Sequence, residues 1–322
     1  MKIPIANQMA FQRLFFVSFV LVPILTYWKP EFNSLYVLTN IFLGIGFFAC
    51  HKFLLFFVTL LETLIRTFVV DESISLLAFL TRLFVYLVLV YISSEIMKKF
   101  KEIKQYKMDL VLSISKSLDT RDTYTGNHSQ NVSKYAVLIA EELGLSPEKC
   151  ENIKIGGLLH DIGKIGIPEH ILNKPTNLTY EEYEQIKLHP QIGYDMIKHI
   201  SFLKKEGVLD MVLYHHERYD GNGYPYGLKG KEIPLPARIL AICDSFDAMT
   251  TKRSYRTEMD LAYAKSEIEQ NKGLQFDPEL ADLFLEIIER YDESIFNGLE
   301  PLLMDTTENV LSDSISVTRA KA

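Results

Sequence analysis

Four apolar stretches fill the first 92 residues, and they constrain the fold of this part of the chain more than any other feature of the sequence. They cover residues 11–28, 35–50, 53–70 and 74–92, which are 18, 16, 18 and 19 residues long. A helix needs about 20 apolar residues to cross a bilayer. The pattern therefore predicts a transmembrane region over residues 1–94 with four spanning helices, three spans being the alternative.

Lysines are frequent directly after the last apolar stretch. They are Lys98, Lys99, Lys101, Lys104 and Lys107. Four spans would place both ends of the chain on one side of the membrane, and the positive-inside rule identifies that side as the cytoplasm. We therefore expect a multi-pass protein of the cytoplasmic membrane, in contact with lipid, whose larger part faces the cytoplasm. No small-residue cleavage site follows the first stretch, so we expect a retained anchor rather than a signal peptide.

Three charged residues interrupt the apolar stretches. Glu62, Arg66 and Arg82 fall inside the predicted spans, where an unpaired charge is costly and a charged side chain often marks a partner or a pathway. Glu62 and Arg66 are four residues apart and share a helical face, so we expect them to neutralise each other. Ligand sensing is the alternative interpretation of these charges.

Charge and cysteine content exclude two classes of partner and site. The net charge is −7, from 34 basic and 41 acidic side chains, so the chain has no general attraction for a nucleic-acid polymer. Cys50, Cys150 and Cys243 are far apart and match no zinc-binding spacing. We therefore expect neither a disulfide framework nor a cysteine metal site.

A narrow apolar stripe follows the membrane region, over a predicted helical connector at residues 95–118. Its members are Ile96, Phe100, Ile103, Leu110 and Ile114, with one lysine interrupting the repeat. Steps of three, four and seven residues are typical of a coiled-coil seam. The stripe predicts a parallel two-helix connector that joins two copies of the chain. The alternative is an ordinary amphipathic helix that packs against its own domain.

The remaining chain has helical periodicity and no alternating pattern typical of strands. Helical patterns cover residues 127–143, 147–160, 206–216, 236–249 and 277–291. Ser146-Pro147-Glu148 reads as a helix start with proline in the first turn. Thr179 and Glu182 have the spacing of a capping box. The sequence therefore predicts an all-α protein.

Histidines concentrate between His128 and His216, and carboxylates accompany them. His160-Asp161 ends an apolar helical pattern, where an idle imidazole and carboxylate would be costly to bury. Imidazole and carboxylate together suit divalent iron, manganese or zinc, and a carboxylate such as Asp161 can bridge two ions. Further candidate ligands are His128, His189, His215, His216 and Asp244. Each alone would be an ordinary hydrogen-bonded residue, but their joint occurrence favours a metal site.

Three longer motifs make the chain resemble the HD-GYP subfamily of the HD-domain phosphohydrolases. They are HDIGKIGIP at 160–168, HHERYDGNGYP at 215–225 and DSFDAM at 244–249. The resemblance covers about residues 112–291. It implies a helical-bundle HD domain, for which we expect residues 112–300, followed by a flexible tail at 301–322.

The resemblance also implies a bacterial enzyme that hydrolyses cyclic di-GMP to pGpG and in many members further to GMP. It places the metal ligands at His128, His160, Asp161, His189, His215, His216 and Asp244. Members with three ions carry a glutamate four residues before the first histidine, where this chain has Tyr124. We therefore expect two divalent ions, iron or manganese, which make hydroxide available near neutral pH.

The same resemblance assigns roles beyond the metal ligands. His160, Asp161 and Lys164 are the expected catalytic residues, and Lys164, Arg253 and Arg256 are expected to hold phosphate. Tyr224 would hydrogen-bond or pack against the ligand. Asp247 lies one helical turn after Asp244, and this spacing suggests that it orients a metal ligand or pairs with a nearby arginine. Expected partners are a second copy of the chain and diguanylate cyclase (GGDEF) proteins. Two alternatives remain: another cyclic dinucleotide as substrate, or a slow enzyme that serves as a binding module for cyclic di-GMP.

Overall fold

The computed structural model describes residues 6–70, 75–121, 127–205, 207–250 and 261–290. These residues form helices and no β-strand, which confirms the all-α class. The chain divides into two compact units, residues 1–113 and 114–322.

The first unit is built on four helices. They are α1 (Ala6–Trp28), α2 (Leu35–Gly46), α3 (Lys52–Val70) and α4 (Leu76–Arg121), and a short 3-10 helix, Pro30–Ser34, precedes α2. One apolar residue from each helix, Phe15, Leu43, Leu55 and Val90, is buried in a shared cluster. The outward faces stay apolar, as shown by Phe16, Phe57 and Phe84, which are exposed. Apolar side chains on the outside of a helical unit suit a lipid environment.

Three helices in the described residues of the first unit are long and apolar enough to cross a membrane, which agrees with the alternative of three spans rather than with four. The second apolar stretch forms only α2, which has 12 residues and is about 18 Å long. At its end the carbonyl oxygen of Gly46 accepts hydrogen bonds from the side chains of Gln8 and Gln12, at 3.2 and 3.0 Å. These bonds satisfy a carbonyl group that a longer helix would have paired internally.

The predicted pair of Glu62 and Arg66 makes no direct hydrogen bond in the described residues. The Arg66 guanidinium donates to Asn33 Oδ1 at 2.7 Å and to the Tyr86 hydroxyl at 3.1 Å. Glu62 is buried, and neither of its carboxylate oxygens has a hydrogen-bond partner in the described part of the chain. Residues four apart on a helix can meet, but here side chains of α4 and of the 3-10 helix compete successfully for the guanidinium.

The connector stripe lies on α4, an uninterrupted helix of 46 residues. Ile96, Phe100, Ile103 and Leu110 are 62, 44, 52 and 52 % exposed. Most of the predicted seam therefore presents apolar surface to solvent in a single copy of the chain.

The second unit continues from the end of α4 with nine further α-helices and two short 3-10 helices, Ile162–Gly166 and Gly230–Glu232, in its described residues. The α-helices are α5 (His128–Glu142), α6 (Pro147–Leu159), α7 (Glu169–Leu172), α8 (Tyr180–Ile186), α9 (His189–Ile197), α10 (Val208–Tyr214), α11 (Leu235–Thr250), α12 (Leu261–Gln270) and α13 (Pro278–Arg290). The five predicted helical patterns correspond to α5, α6, α10, α11 and α13. The periodicity of the sequence gave no prediction for α9 or α12.

The core of the second unit lies between α5, α11 and α13. The ring of Phe246 contacts Tyr135 and Phe284 edge to face, with ring centres 5.4 and 5.1 Å apart. All three side chains are buried. The predicted helix starts are confirmed: Ser146 caps α6, and Thr179 and Glu182 form a capping box on α8. This packing fixes α5 and α11, which carry two of the candidate ligands, against each other.

Candidate metal centre

Seven buried or partly buried side chains converge in the second unit as two neighbouring groups. The ligand atoms within each group lie within 4.8 Å of one another. One group contains Asp161, His189, His215 and His216, and the other contains His128, His160 and Asp244. These are the seven residues proposed from the sequence, and they come from α5, α6, α9, α10 and α11 or from residues directly after these helices.

Asp161 lies between the two groups, and its two oxygens face different histidines. Oδ1 is 3.2 Å from Nε2 of His189 and 3.9 Å from Nε2 of His215. Oδ2 is 3.3 Å from Nε2 of His160 and 4.0 Å from Nε2 of His128. A carboxylate placed in this way has the geometry that is needed to bridge two cations.

Four histidines are anchored through Nδ1, which leaves Nε2 directed into the centre. Nδ1 of His160, His189 and His215 contacts the backbone carbonyl oxygens of Gly157, Ile186 and Met211, at 2.7, 2.7 and 3.0 Å. The remaining contact joins Nδ1 of His128 to Asp247 Oδ2 at 2.6 Å. Such contacts fix the ring orientation and the tautomer of histidines that bind metals through the other nitrogen.

The donor set fits divalent cations. Nε2 of His160 is buried without a hydrogen-bond partner in the described residues, which is costly unless another group satisfies it. Imidazole nitrogen with carboxylate oxygen is a ligand set for iron, manganese or zinc. The two groups could therefore hold divalent metal ions.

The environment keeps the Asp161 side chain ionised. Burial favours its neutral form, but Lys164 and His160 outweigh burial and hold the pKa of this carboxyl well below its usual value. The Lys164 ammonium lies 2.7 Å from Asp161 Oδ2. A carboxylate that is already deprotonated can bind a cation without first losing a proton.

The protein environment differs sharply between the two groups. Burial opposes protonation of His128, but hydrogen bonds to Asp244 and Asp247 outweigh it and raise its pKa to about 10. Burial, followed by the neighbouring His189, lowers the pKa of His216 to about 3. The group that contains His128 thus depends on carboxylates for its charge balance, whereas His216 in the other group is held as a neutral imidazole, the form that binds metals.

Glycines allow the elements of the centre to approach closely. A Cβ atom at Gly163 would lie 1.8 Å from the carbonyl oxygen of His189, and one at Gly157 would lie 2.8 Å from Cα of Ser133. The backbone after Asp161 therefore touches the first residue of α9, and α6 touches α5. These contacts bring Asp161 to His189 and His160 to His128.

Tyr224 lies against the centre, in the loop after His216. Its ring stacks on the ring of His216 with centres 4.7 Å apart, and the Lys187 ammonium lies over the Tyr224 ring at 5.5 Å. Gly223 is required at this turn because a Cβ there would lie 2.3 Å from the amide nitrogen of Arg218. The loop is thereby held at the rim of the centre.

Two supporting residues escaped the sequence analysis. Buried Glu217 accepts hydrogen bonds from the amides of Tyr226 and Leu228, at 2.7 and 3.0 Å, and so closes the loop that contains Tyr224. Arg121, the last residue of α4, donates to the backbone carbonyls of Lys164, Ile165 and Ile167. The position of Glu217 directly after His215 and His216 could have indicated its role, whereas no sequence pattern indicated the contacts of Arg121.

Several residues named from the sequence lie outside the described part of the chain. They are Tyr124, Arg253 and Arg256, together with the predicted tail at 301–322. Of the two roles suggested for Asp247, the structure agrees with the orientation of a ligand rather than with pairing to an arginine, because its carboxylate contacts Nδ1 of His128.

A profile of the HD domain family matches residues 113–280, more than half of the chain, and the chain therefore belongs to the HD domain family. This confirms the HD domain expected from the sequence. Members of this family bind divalent metals, in agreement with the donor set described above.

Curated relatives give the family match more detail. The chain is 39 % identical over 188 residues to a cyclic di-GMP phosphodiesterase of Thermotoga maritima, covering 58 % of this chain and 51 % of the relative. It is 36 % identical over 196 residues to a cyclic di-GMP phosphodiesterase response regulator of Xanthomonas campestris, covering 60 and 51 %. It is 34 % identical over 194 residues to a 3'3'-cGAMP-specific phosphodiesterase of Vibrio cholerae, covering 60 and 37 %. The chain spans about half the length of the first two relatives.

Replacing Gly163 by alanine should weaken metal binding roughly tenfold to a hundredfold, the range seen when the support of a metal ligand is lost. The added methyl group would collide with the His189 carbonyl and separate Asp161 from His189. Metal affinity is measured by competition titration of the anaerobically purified protein. Gly144→Ala, which strains the backbone at a positive φ of 67° but has no neighbour within 4 Å, controls for a general loss of stability and should leave the affinity unchanged. Unchanged affinity in Gly163→Ala would contradict the importance of this close approach.

Replacing Asp247 by alanine should also lower metal affinity by about 10- to 100-fold, because His128 then loses the contact that orients its ring. Bound metal is quantified by elemental analysis after dialysis against graded chelator, with circular dichroism to check helix content. Asp195→Ala removes an exposed carboxylate that pairs with Lys198 and should leave the affinity unchanged. Equal effects of the two substitutions would argue against a positioning role for Asp247.

Proposed function

We propose that this chain is a membrane-anchored, metal-dependent phosphodiesterase that hydrolyses cyclic di-GMP to pGpG and then to GMP. The observation that carries the proposal is the position of the Asp161 carboxylate between two groups of histidines. Relatives named as cyclic di-GMP phosphodiesterases support the choice of substrate.

We propose that the seven converging residues would hold two divalent ions, iron or manganese, with the Asp161 carboxylate available to both groups. Bound ions of this kind lower the pKa of water and neutralise charge on phosphoryl oxygens. The protein fixes the imidazoles through their Nδ1 contacts and keeps the bridging carboxyl ionised through Lys164. The site is thus organised before the substrate binds. Such preorganisation is the main way in which a protein stabilises charge in the transition state.

Lys164 and Tyr224 are the proposed substrate contacts within the described residues. The Lys164 side chain is 18 % exposed and its ammonium already lies beside Asp161, so it can donate to a phosphate oxygen at the same point. The Tyr224 ring, stacked on His216, offers an aromatic surface beside the centre for a guanine base. On the basis of the sequence, we add Arg253 and Arg256 as phosphate-binding residues.

The second candidate substrate is 3'3'-cGAMP, because the chain is also similar to a 3'3'-cGAMP-specific phosphodiesterase. Both compounds are cyclic dinucleotides with the same pair of phosphodiester bonds, and they differ in one base. The metal centre acts on the phosphates and cannot discriminate between them. Specificity then depends on base contacts at the rim.

We propose that α1, α3 and the first part of α4 cross the cytoplasmic membrane in contact with lipid, and that the HD domain faces the cytoplasm. The length and composition of these helices support spanning. The lysines that follow the apolar part of α4 favour a cytoplasmic position for that end. An odd number of spans would then place the start of α1 on the opposite side.

We further propose that two copies of the chain associate through α4. The apolar seam at Ile96, Phe100, Ile103 and Leu110 is largely exposed in one copy, and a second α4 helix would bury it at coiled-coil spacing. Diguanylate cyclase (GGDEF) proteins are further proposed partners, for which the loop at 220–225 supplies a surface.

The central test is hydrolysis by the anaerobically purified protein with a panel of cyclic dinucleotides. His160→Ala and Asp161→Asn should each lower the rate with cyclic di-GMP by about a thousandfold or more, since several kcal/mol of charge stabilisation are lost. His199→Ala, an exposed histidine outside the centre, should keep full activity. Binding without turnover in the parent protein would instead support a binding module, and faster cleavage of 3'3'-cGAMP would reassign the substrate.

The full-length protein should be a dimer in mild detergent, as measured by light scattering coupled to size exclusion. Ile103→Lys places a charge in the seam and should shift the protein towards the monomer, because like charges would then face each other across the pair. Lys104→Gln is the matched control outside the seam. A monomeric parent protein would disprove the connector proposal.

A further inference from the structure

A lysine beside the metal centre makes contacts that the proposed reaction does not use. Lys187 directly follows α8 and comes two residues before the candidate ligand His189. Its ammonium donates to Glu184 Oε1 at 2.8 Å. The same ammonium lies 5.4 Å from the ring centre of Tyr183 and 5.5 Å from that of Tyr224. It therefore connects the end of α8 to the loop that contains Tyr224.

A second lysine of the same unit shows which of these contacts the local sequence explains. Lys198 also follows a carboxylate by three residues and a tyrosine by four. It donates to Asp195 Oδ1 at 2.5 Å and lies 5.7 Å from the ring centre of Tyr194. Such pairs along one helix are ordinary surface contacts. Lys187 differs from Lys198 by its additional contact with Tyr224, a residue of a loop at the metal centre.

The Lys187 ammonium is placed to donate hydrogen bonds to a bound molecule. An ammonium has three N–H donors and no acceptor, and within the described residues one donor is used, by Glu184. That hydrogen bond raises the pKa of Lys187, so the group stays charged at neutral pH. The side chain is 29 % exposed. A ligand can therefore reach the remaining donors.

The Tyr224 ring connects this ammonium to the metal centre. Its centre lies 4.7 Å from that of the His216 ring, and Lys187 is its other neighbour. Tyr183 is 47 % exposed and offers a second ring surface beside the same ammonium. A base that packs against either tyrosine, while a phosphate lies at the metal centre, has its edge within reach of Lys187.

We infer that Lys187 recognises a guanine base of the substrate through N7 and O6 and selects guanine over adenine. This inference rests on the proposed function, in which base recognition at the rim has no assigned residue. Guanine carries two acceptors on this edge, N7 and O6, whereas adenine carries the N7 acceptor and the N6 amino donor. A group that can only donate therefore matches guanine and meets another donor on adenine.

The inference has a particular consequence for 3'3'-cGAMP, which contains one guanine. Hydrolysis adds water across one P–O3' bond and leaves a 5'-phosphate and a 3'-hydroxyl. The two phosphodiester bonds of this compound are not equivalent, because cleavage of one gives linear pApG and cleavage of the other gives pGpA. With the guanine held at Lys187, one of the two bonds lies at the metal centre. The enzyme should then release one linear isomer in excess.

The test uses the full-length protein in mild detergent with cyclic di-GMP, 3'3'-cGAMP and cyclic di-AMP, which contain two, one and no guanines. The values of kcat and KM are measured for each compound, and the two linear products of 3'3'-cGAMP are separated by chromatography. If the parent protein binds without turnover, Kd from calorimetry replaces KM. Circular dichroism checks the helix content of every variant.

Lys187→Met keeps the length of the side chain and removes its donors. It should raise KM for cyclic di-GMP and 3'3'-cGAMP by about 5- to 150-fold, the discrimination that one good base contact provides. The value of kcat should stay within about twofold, because the contact is made equally in the ground state and the transition state. KM for cyclic di-AMP should not change, and 3'3'-cGAMP should give a mixture of both isomers.

Two further variants complete the experiment. Lys187→Gln introduces an amide that can pair with N6 and N7 of adenine. It should lower KM for cyclic di-AMP and shift the products of 3'3'-cGAMP towards the other isomer. Lys198→Met is the matched control, since it removes a lysine with the same local partners and should leave all values as in the parent.

The outcomes separate this inference from the proposed function. An equal loss with all three nucleotides in Lys187→Met would overturn the inference, because Lys187 would then bind phosphate or support Tyr224. Unchanged KM values and an unchanged isomer ratio would also overturn it, while hydrolysis by the parent would leave the proposed function standing. Guanine-dependent binding without turnover, weakened in Lys187→Met, would contradict the hydrolysis and support the inference. A parent protein that binds none of the three compounds would overturn both.

Discussion

The second unit depends on one close approach of two backbone segments, the chain around Gly163 and the start of α9. Because residue 163 has no side chain, the His189 carbonyl can lie where a Cβ would otherwise be. This contact sets the distance between Asp161, two residues earlier, and His189, the first residue of α9. Without it, the carboxylate would belong to one histidine group only, and the two groups would be separate sites.

The two groups around this contact differ in the protonation state that the protein favours for their histidines. His128 lies between two carboxylates that favour its charged form, whereas His216 is held neutral by burial and by another histidine. Cations would balance the carboxylate charges of the group that contains His128 and satisfy the imidazole nitrogens of the group that contains His216. A buried cluster of this composition is costly when empty, because carboxylates and imidazoles are then taken from water without sufficient partners. The core between α5, α11 and α13 stabilises the unit against this cost.

Much of the fold could be predicted from the sequence, because helical periodicity and helix caps depend on residues that are close together along the chain. Helical periodicity and caps at Ser146 and Thr179 identified five helices and two starts, and the spacing of histidines and carboxylates identified the residues that converge. The end of α2 could not be predicted, since the side chains that satisfy the carbonyl of its last residue, Gly46, belong to Gln8 and Gln12 of another helix. Tertiary contacts of this kind override the length of an apolar stretch.

The side-chain partners of charged residues were equally hard to predict. Spacing along one helix suggested that Glu62 and Arg66 pair, yet residues of other elements hold the arginine. The contact of Arg121 with the chain after the HD motif spans more than 40 residues of sequence, and an arginine at a helix end has no pattern that reveals its acceptors.

That last contact has a mechanical consequence. A guanidinium is flat, and three carbonyl oxygens from one short segment fix the plane in which it lies. The final turn of α4 therefore cannot twist about its axis without either breaking these bonds or turning the segment that carries Lys164.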